Sequence, residues 1–174
     1  MKTISDKIAE LGGELAPPAD SNEIVQLEAR IGISLPERLR ELLRQHNGSL
    51  KDTDNAMWRF WPCDEITTHS RYRSQDEFCP DKNDLRTIDP LARTVKLPGS
   101  NLILFVDSLI DAPTYGVFHL PGHPYDGFVF DTSYNYVSAR SFDDWIAMFI
   151  ERGEEGLLFP EPPELEQDAS GNWR

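Results

Sequence analysis

At 174 residues, with 39% hydrophobic residues and four tryptophans, the chain suits one packed domain that buries about two-thirds of the surface its unfolded form exposes. Its longest uninterrupted apolar run, Trp145 to Ile150, is far shorter than the roughly 20 residues of a membrane-spanning helix, which argues against a transmembrane segment. Thirty acidic residues against 17 basic ones give a net charge of −13, which disfavours nucleic acid as a partner and favours a basic protein surface, although charge of this kind also serves solubility alone.

In chain order, Met1-Lys2-Thr3-Ile4-Ser5-Asp6-Lys7 mixes charges before any apolar block, unlike a secretory signal, so a cytoplasmic location is the expectation. Ile4, Ile8 and Leu11 stand at helical spacing, and Gly12-Gly13 ends that helix before the linker Ala16-Pro17-Pro18-Ala19. Asp20 and Glu23 have the spacing of a capping box, followed by the apolar stripe Ile24, Leu27, Ile31 and a stop at Gly32. Ser34 and Glu37 repeat that spacing around Pro36, and Leu35, Leu39, Leu42 and Leu43 form a second stripe. Asn47-Gly48 is expected to close this helix, because both residues accept the left-handed conformation.

The polar segment Ser49 to Asn55 reads as a loop before an aromatic strand, Trp58-Arg59-Phe60-Trp61-Pro62. There, a period of two sets Trp58 and Phe60 on one face and Arg59 and Trp61 on the other. Thr67 to Lys96 is dense in charge and turn residues and reads as a long irregular excursion with weak helical signals around Asp84 to Ala92. Leu102-Ile103-Leu104-Phe105-Val106 is the run expected of a central strand buried on both faces.

Tyr115 to Leu120 makes the next strand and is broken by Pro121-Gly122-His123-Pro124. Phe128 to Phe130 and Tyr134 to Val137 flank Asp131-Thr132-Ser133 as a hairpin. Ser141 and Asp144 then cap a helix whose Phe142, Trp145, Ile146 and Phe149 share a face and whose end is Gly153. Helices first, then strands with one late helix, predict an α+β domain over residues 1–156. The acidic, Pro-rich stretch 157–174 is expected to be extended or disordered.

The order Glu28, Gly32, Leu35-Pro36, Arg40-Glu41-Leu42-Leu43, Asn47-Gly48, a Trp strand ending at Pro62, and Asp64-Glu65-Ile66 resembles the SMI1/KNR4 family, also called the SUKH superfamily. The likeness is close over the first third of the chain and looser over Leu102 to Asp111 and after Arg140. Where many members carry a small Gly-rich turn, this chain has Asp107-Ser108-Leu109-Ile110-Asp111. The resemblance implies N-terminal helices packed on a mostly antiparallel sheet with a late C-terminal helix. It also implies a non-catalytic binding module, either a bacterial immunity protein that neutralises a polymorphic toxin or a regulatory interaction module of the fungal cell-wall and signalling type. Toxic nucleases are basic because they hold phosphates, so an acidic immunity protein has a physical rationale.

Candidate chemistry is sparse. His119 and His123 have a metal-like separation that a hydrolase would need, with Asp107, Asp111 or Asp126 as oxygen donors, but Pro121-Gly122 prevents a shared helical face. Cys63 and Cys79 lack the spacing of a zinc site or a disulfide framework and are expected to be reduced. A nucleophilic triad of either cysteine with His69 has no supporting pattern, and buried structural thiols are the simpler reading.

Ser108 lacks the flanking glycines of a hydrolase elbow. Arg38, Arg40 and Arg44 lie beside Glu37 and Glu41, a salt-bridged surface rather than a phosphate patch. No cofactor and no catalytic residue is therefore assigned. The sharper expectation is a protein-binding face in which Trp58 and Trp61 act as aromatic anchors rimmed by Asp52, Asp54, Asp107 and Asp111, with core packing of the tryptophans as the alternative.

Overall fold

The computed structural model describes residues 2–50, 58–80, 95–108 and 113–152. The expectations placed on 51–57, 81–94, 109–112 and 153–174, including Gly153 as a helix end and the acidic tail, lie outside the described residues.

Among the described residues three helices precede the sheet. In α1 (Ile4–Glu10), Thr3 and Asp6 cap one another reciprocally. In α2 (Ser21–Ile31) the predicted capping box forms: Asp20 Oδ1 accepts the Asn22 and Glu23 N–H groups, and the Glu23 carboxylate accepts the Asp20 N–H at 2.7 Å. Two of the four orphan N–H groups that start any helix, plus the cap's own, are thereby satisfied. Gly32 ends α2 in the left-handed conformation, φ 83°.

α3 (Glu37–Gln45) corrects the sequence reading at both ends. It starts behind Pro36, which has no side-chain acceptor, so Ser34 and Glu37 make no capping box. The Leu35 N–H instead goes to Glu28 Oε1 at 2.8 Å, and the Glu37 carboxylate pairs with Arg40 and Arg44. At the other end His46 is already extended, with φ −151°. Gly48, φ 77°, serves another purpose: a Cβ there would lie 2.5 Å from the Pro62 nitrogen and 2.8 Å from the Phe60 oxygen. The glycine permits a close crossing of two chain segments.

The strands are β1 (Trp58–Phe60), β2 (Thr67–Thr68), β3 (Glu77–Phe78), β4 (Leu97–Pro98), β5 (Leu102–Ser108), β6 (Thr114–Phe118), β7 (Val129–Asp131) and β8 (Tyr136–Ala139). β1-β5-β6-β7-β8 form one antiparallel sheet, with β2 also pairing on β5 and β3-β4 standing apart as a two-stranded ribbon. α4 (His69–Arg73) follows β2, and α5 (Phe142–Arg152) follows β8, with Ser141 Oγ accepting the Asp144 N–H as predicted.

The chain has the α+β order expected, helices on an antiparallel sheet closed by a late helix. The stretch read as irregular contains β2, α4 and β3, elements of two to five residues that are too short to show a period.

Both faces of β5 are covered, and Leu102 to Val106 are all buried. On one face Trp58, Phe60, Phe105 and Tyr115 meet Trp145 of α5, whose ring stacks on Phe149 with planes 4° apart. On the other, Phe130 packs on Phe78 of the ribbon, and Gly116 leaves room for the Leu104 and Leu102 side chains. Burying each such aromatic side chain contributes about 2–3 kcal/mol, so this double-sided core supplies most of the driving force for the fold.

Candidate functional site

Residues directly opposite on an antiparallel pair share a face. β1 and β5 pair with Arg59 opposite Asp107, which sets these two side chains on the face away from Trp58 and Phe60. Trp61 continues the strand edge, its N–H bonded to the Phe105 carbonyl, and its indole Nε1 donates to Asp107 Oδ2 at 2.6 Å. Arg59 pairs with Glu65 and stands 3.9 Å from the same Asp107 oxygen. The ring of Tyr72 on α4 lies 5.6 Å from that of Trp61 and is 49% exposed. Four elements thus bring together two aromatic rings, a guanidinium and two carboxylates.

Electrostatics at Asp107 are strained. Burial pushes its carboxyl above the usual carboxylate range, while the Trp61 N–H and the Arg59 charge pull it back down. Its Oδ1 is buried and has no hydrogen-bond donor among the described residues. Asp107 is therefore held by one strong, charge-assisted hydrogen bond and a distant cation rather than by full solvation.

The predicted binding residues separate. Trp61 and Asp107 come together as described, but Trp61 is 6% exposed and part of the core, so it supports Asp107 from below and core packing describes it too. Trp58 does not join them: its side chain has no exposed surface and packs against Tyr115, Trp145 and Phe149, so it belongs to the core and offers nothing to a partner. The strand period that separates Trp58 from Trp61 already contained this outcome. Asp52, Asp54 and Asp111 lie outside the described residues. Arg59, Glu65 and Tyr72 were missed. Arg59 was legible from its place opposite Trp58 in the strand period, whereas Tyr72 sits on a five-residue helix with no apolar stripe.

The two loop histidines have separate occupations. His119 Nδ1 shares a hydrogen bond of 3.0 Å with Asp126 Oδ1, which also accepts the Leu120 N–H. His123 Nδ1 accepts the Tyr125 N–H at 3.2 Å, and its ring packs edge-on against Phe118. Among the described residues no three His, Cys, Asp or Glu side chains converge on a common point. Cys63 is buried, its thiol pushed up to about 11 chiefly by burial, and Cys79 is exposed; both are free thiols. His69 is also buried, with its ring edge-on to Phe78, and burial holds its imidazole below the usual range. The Arg38, Arg40 and Arg44 group is salt-bridged as expected, to Glu41 and Asp143, to Glu28 and Glu37, and to Glu37. No helix among the described residues is long and apolar enough to cross a membrane.

No curated protein matches the chain in sequence. A family model described as the SMI1 / KNR4 family (SUKH-1) matches residues 18–148, from the linker before α2 into α5. Since that match covers well over half of the chain and takes in the whole sheet with Trp61 and Asp107, the chain belongs to the SMI1 / KNR4 family (SUKH-1).

Proposed function

We propose that the protein is a non-catalytic binding module, an immunity protein that holds a cognate bacterial toxin domain and blocks its active surface. Membership of the SMI1 / KNR4 family (SUKH-1) is compatible with a module of this type. The observation that carries the reading is the net charge of −13 on a chain of this family. An acidic field accelerates encounter with a basic surface, and a nuclease toxin is basic because it must hold phosphates. The partner is a protein, with no role for nucleic acid or membrane.

The contact face in this reading is built on the exposed Tyr72 with Arg59 and Asp107, Trp61 being buried beneath them and holding Asp107 in place, and it draws its further charge from Asp52, Asp54 and Asp111. An exposed aromatic ring with polar groups around it is the composition of an interface centre.

Co-expression with the product of the adjacent gene tests the reading. Rescue of growth and a complex that weakens steeply with salt are expected. Absence of both binding and protection with every neighbouring toxin overturns it.

A further inference from the structure

A second concave surface lies beside this face. A groove of about 330 Å³ is lined by Glu23, Gln26, Leu27 and Arg30 of α2 and by Cys63 and Asp64 of the turn after β1. Its floor is apolar and closed, since Leu27 is 2% and Cys63 5% exposed. Its rim is polar. Glu23 is fixed in place because one oxygen caps Asp20 and the other accepts from Asn47 Nδ2 at 3.1 Å. Asp64 is exposed on the opposite rim. The cation of the groove is already engaged: Arg30 Nη2 donates to the carbonyl oxygens of Cys63, at 2.6 Å, and Ile66, at 2.8 Å. Field effects at the floor agree with this geometry, because after burial itself the Glu23 and Asp64 charges both push the Cys63 thiol up, and Arg30 opposes them.

We propose that this groove receives a lysine or arginine side chain of the bound protein. The proposal rests on the protein-binding reading above. A basic side chain carries an aliphatic stem and a charged head, and it matches a pocket with a Leu27 and Cys63 floor and carboxylates on two opposite rims. The volume is at the lower end of the range for ligand pockets, suited to one side chain rather than a peptide. Arginine in a desolvated pocket is a frequent hot spot of protein interfaces. Arg30, held by two main-chain carbonyls, shapes the wall and prevents collapse of the turn onto α2. The groove adjoins the Trp61 and Tyr72 face through Arg71, which donates to the Arg30 carbonyl from the helix that carries Tyr72. A single partner surface therefore reaches both.

The test uses the full chain, labelled with ¹⁵N, and the tripeptide acetyl-Gly-Arg-Gly-amide as the probe. Saturable amide shifts confined to residues 23–30 and 62–65 are expected, with binding about tenfold weaker for the neutral citrulline peptide and for the Asp64→Lys variant. Glu23→Gln, which removes the charge and keeps one of the two acceptor oxygens that Asp20 and Asn47 use, is expected to weaken binding, with the amide spectrum of α2 reporting whether the cap survives. Shifts scattered over the surface, or an affinity unchanged in Asp64→Lys, overturn the proposal. If the wild type binds its toxin while the groove stays silent to the probe, the groove inference falls and the immunity reading stands. If the groove binds arginine saturably and no neighbouring toxin is bound, the immunity reading falls and the basic-side-chain site stands.

Discussion

The indole N–H of Trp61 donates to the carboxylate of Asp107 at 2.6 Å across the junction of β1 and β5. The bond ties the end of one strand to a neighbour 46 positions on, and it holds the Trp61 ring by its N–H.

Asp107→Ala leaves the buried indole donor without an acceptor and is expected to cost about 1–3 kcal/mol of stability. Asp107→Asn retains an acceptor and should be milder. The pH dependence has a definite sign. Burial raises the folded-state pKa above the ordinary 3.8, so the folded protein holds this proton more tightly than the unfolded chain does. The corresponding stability is present below the unfolded pKa and is lost as pH rises through the folded value. Urea denaturation from pH 4 upward should show this loss in the wild type, and a smaller one in Asp107→Asn.

Glu28 gives the opposite sign. Its partial burial raises the pKa, but the Leu35 N–H and Arg40 outweigh that and leave it lowered from 4.5. This contribution is present above the unfolded pKa and lost as pH falls through the folded one. Glu28→Gln should flatten the acid limb of the stability profile. Glu28→Ala, which strands the Leu35 N–H and leaves Arg40 with Glu37 alone, should cost about 1–3 kcal/mol at neutral pH in the same denaturation experiment.

Gly48→Ala and Gly32→Ala separate crowding from backbone strain. Both glycines have positive φ, which alone costs an alanine about 1–2 kcal/mol. Gly32 has open space around the missing Cβ, whereas Gly48 faces main-chain atoms of Phe60, Trp61 and Pro62 within 2.8 Å. Thermal unfolding should place Gly48→Ala about 1–3 kcal/mol below Gly32→Ala, the usual cost of overpacking.

The thiols should titrate as two populations. Cys79 is exposed, and Cys63 is buried with a pKa pushed up to about 11. With an aromatic disulfide reagent at pH 8, one equivalent per chain should react rapidly and the second only on unfolding. Two rapid equivalents would show that the turn carrying Cys63 opens readily.

Much of the scaffold was readable because its signals are local. The Asp20–Glu23 capping box, the Gly32 stop and the Ser141 cap each depend on residues three or four apart, and the doubly buried β5 shows itself as a continuous apolar run. The second capping box failed because α3 starts at Glu37 behind Pro36, which puts Glu37 at the first helical position instead of the third, while Glu28 takes the Leu35 N–H. Gly48 was misread because the helix ends before it, and what its missing Cβ permits is the close approach of Pro62.

The candidate face was half legible. Strand alternation separated Trp58 from Trp61, but the meeting of Trp61 with Asp107 and Tyr72 depends on strand register and on a helix of five residues. Neither leaves a trace in a single sequence.

The turn after β1 is held through its main chain. Arg30 grips the carbonyls of Cys63 and Ile66, and Asn47 Oδ1 accepts the Cys63 N–H at 2.8 Å. These anchors do not depend on which side chain occupies position 64. The fold therefore separates the shape of this ridge from its charge: the ridge can exchange an acid for a neutral or basic residue with little loss of folding energy. In the proposed reading as an immunity protein, a preference for one partner over another would be retuned there one substitution at a time.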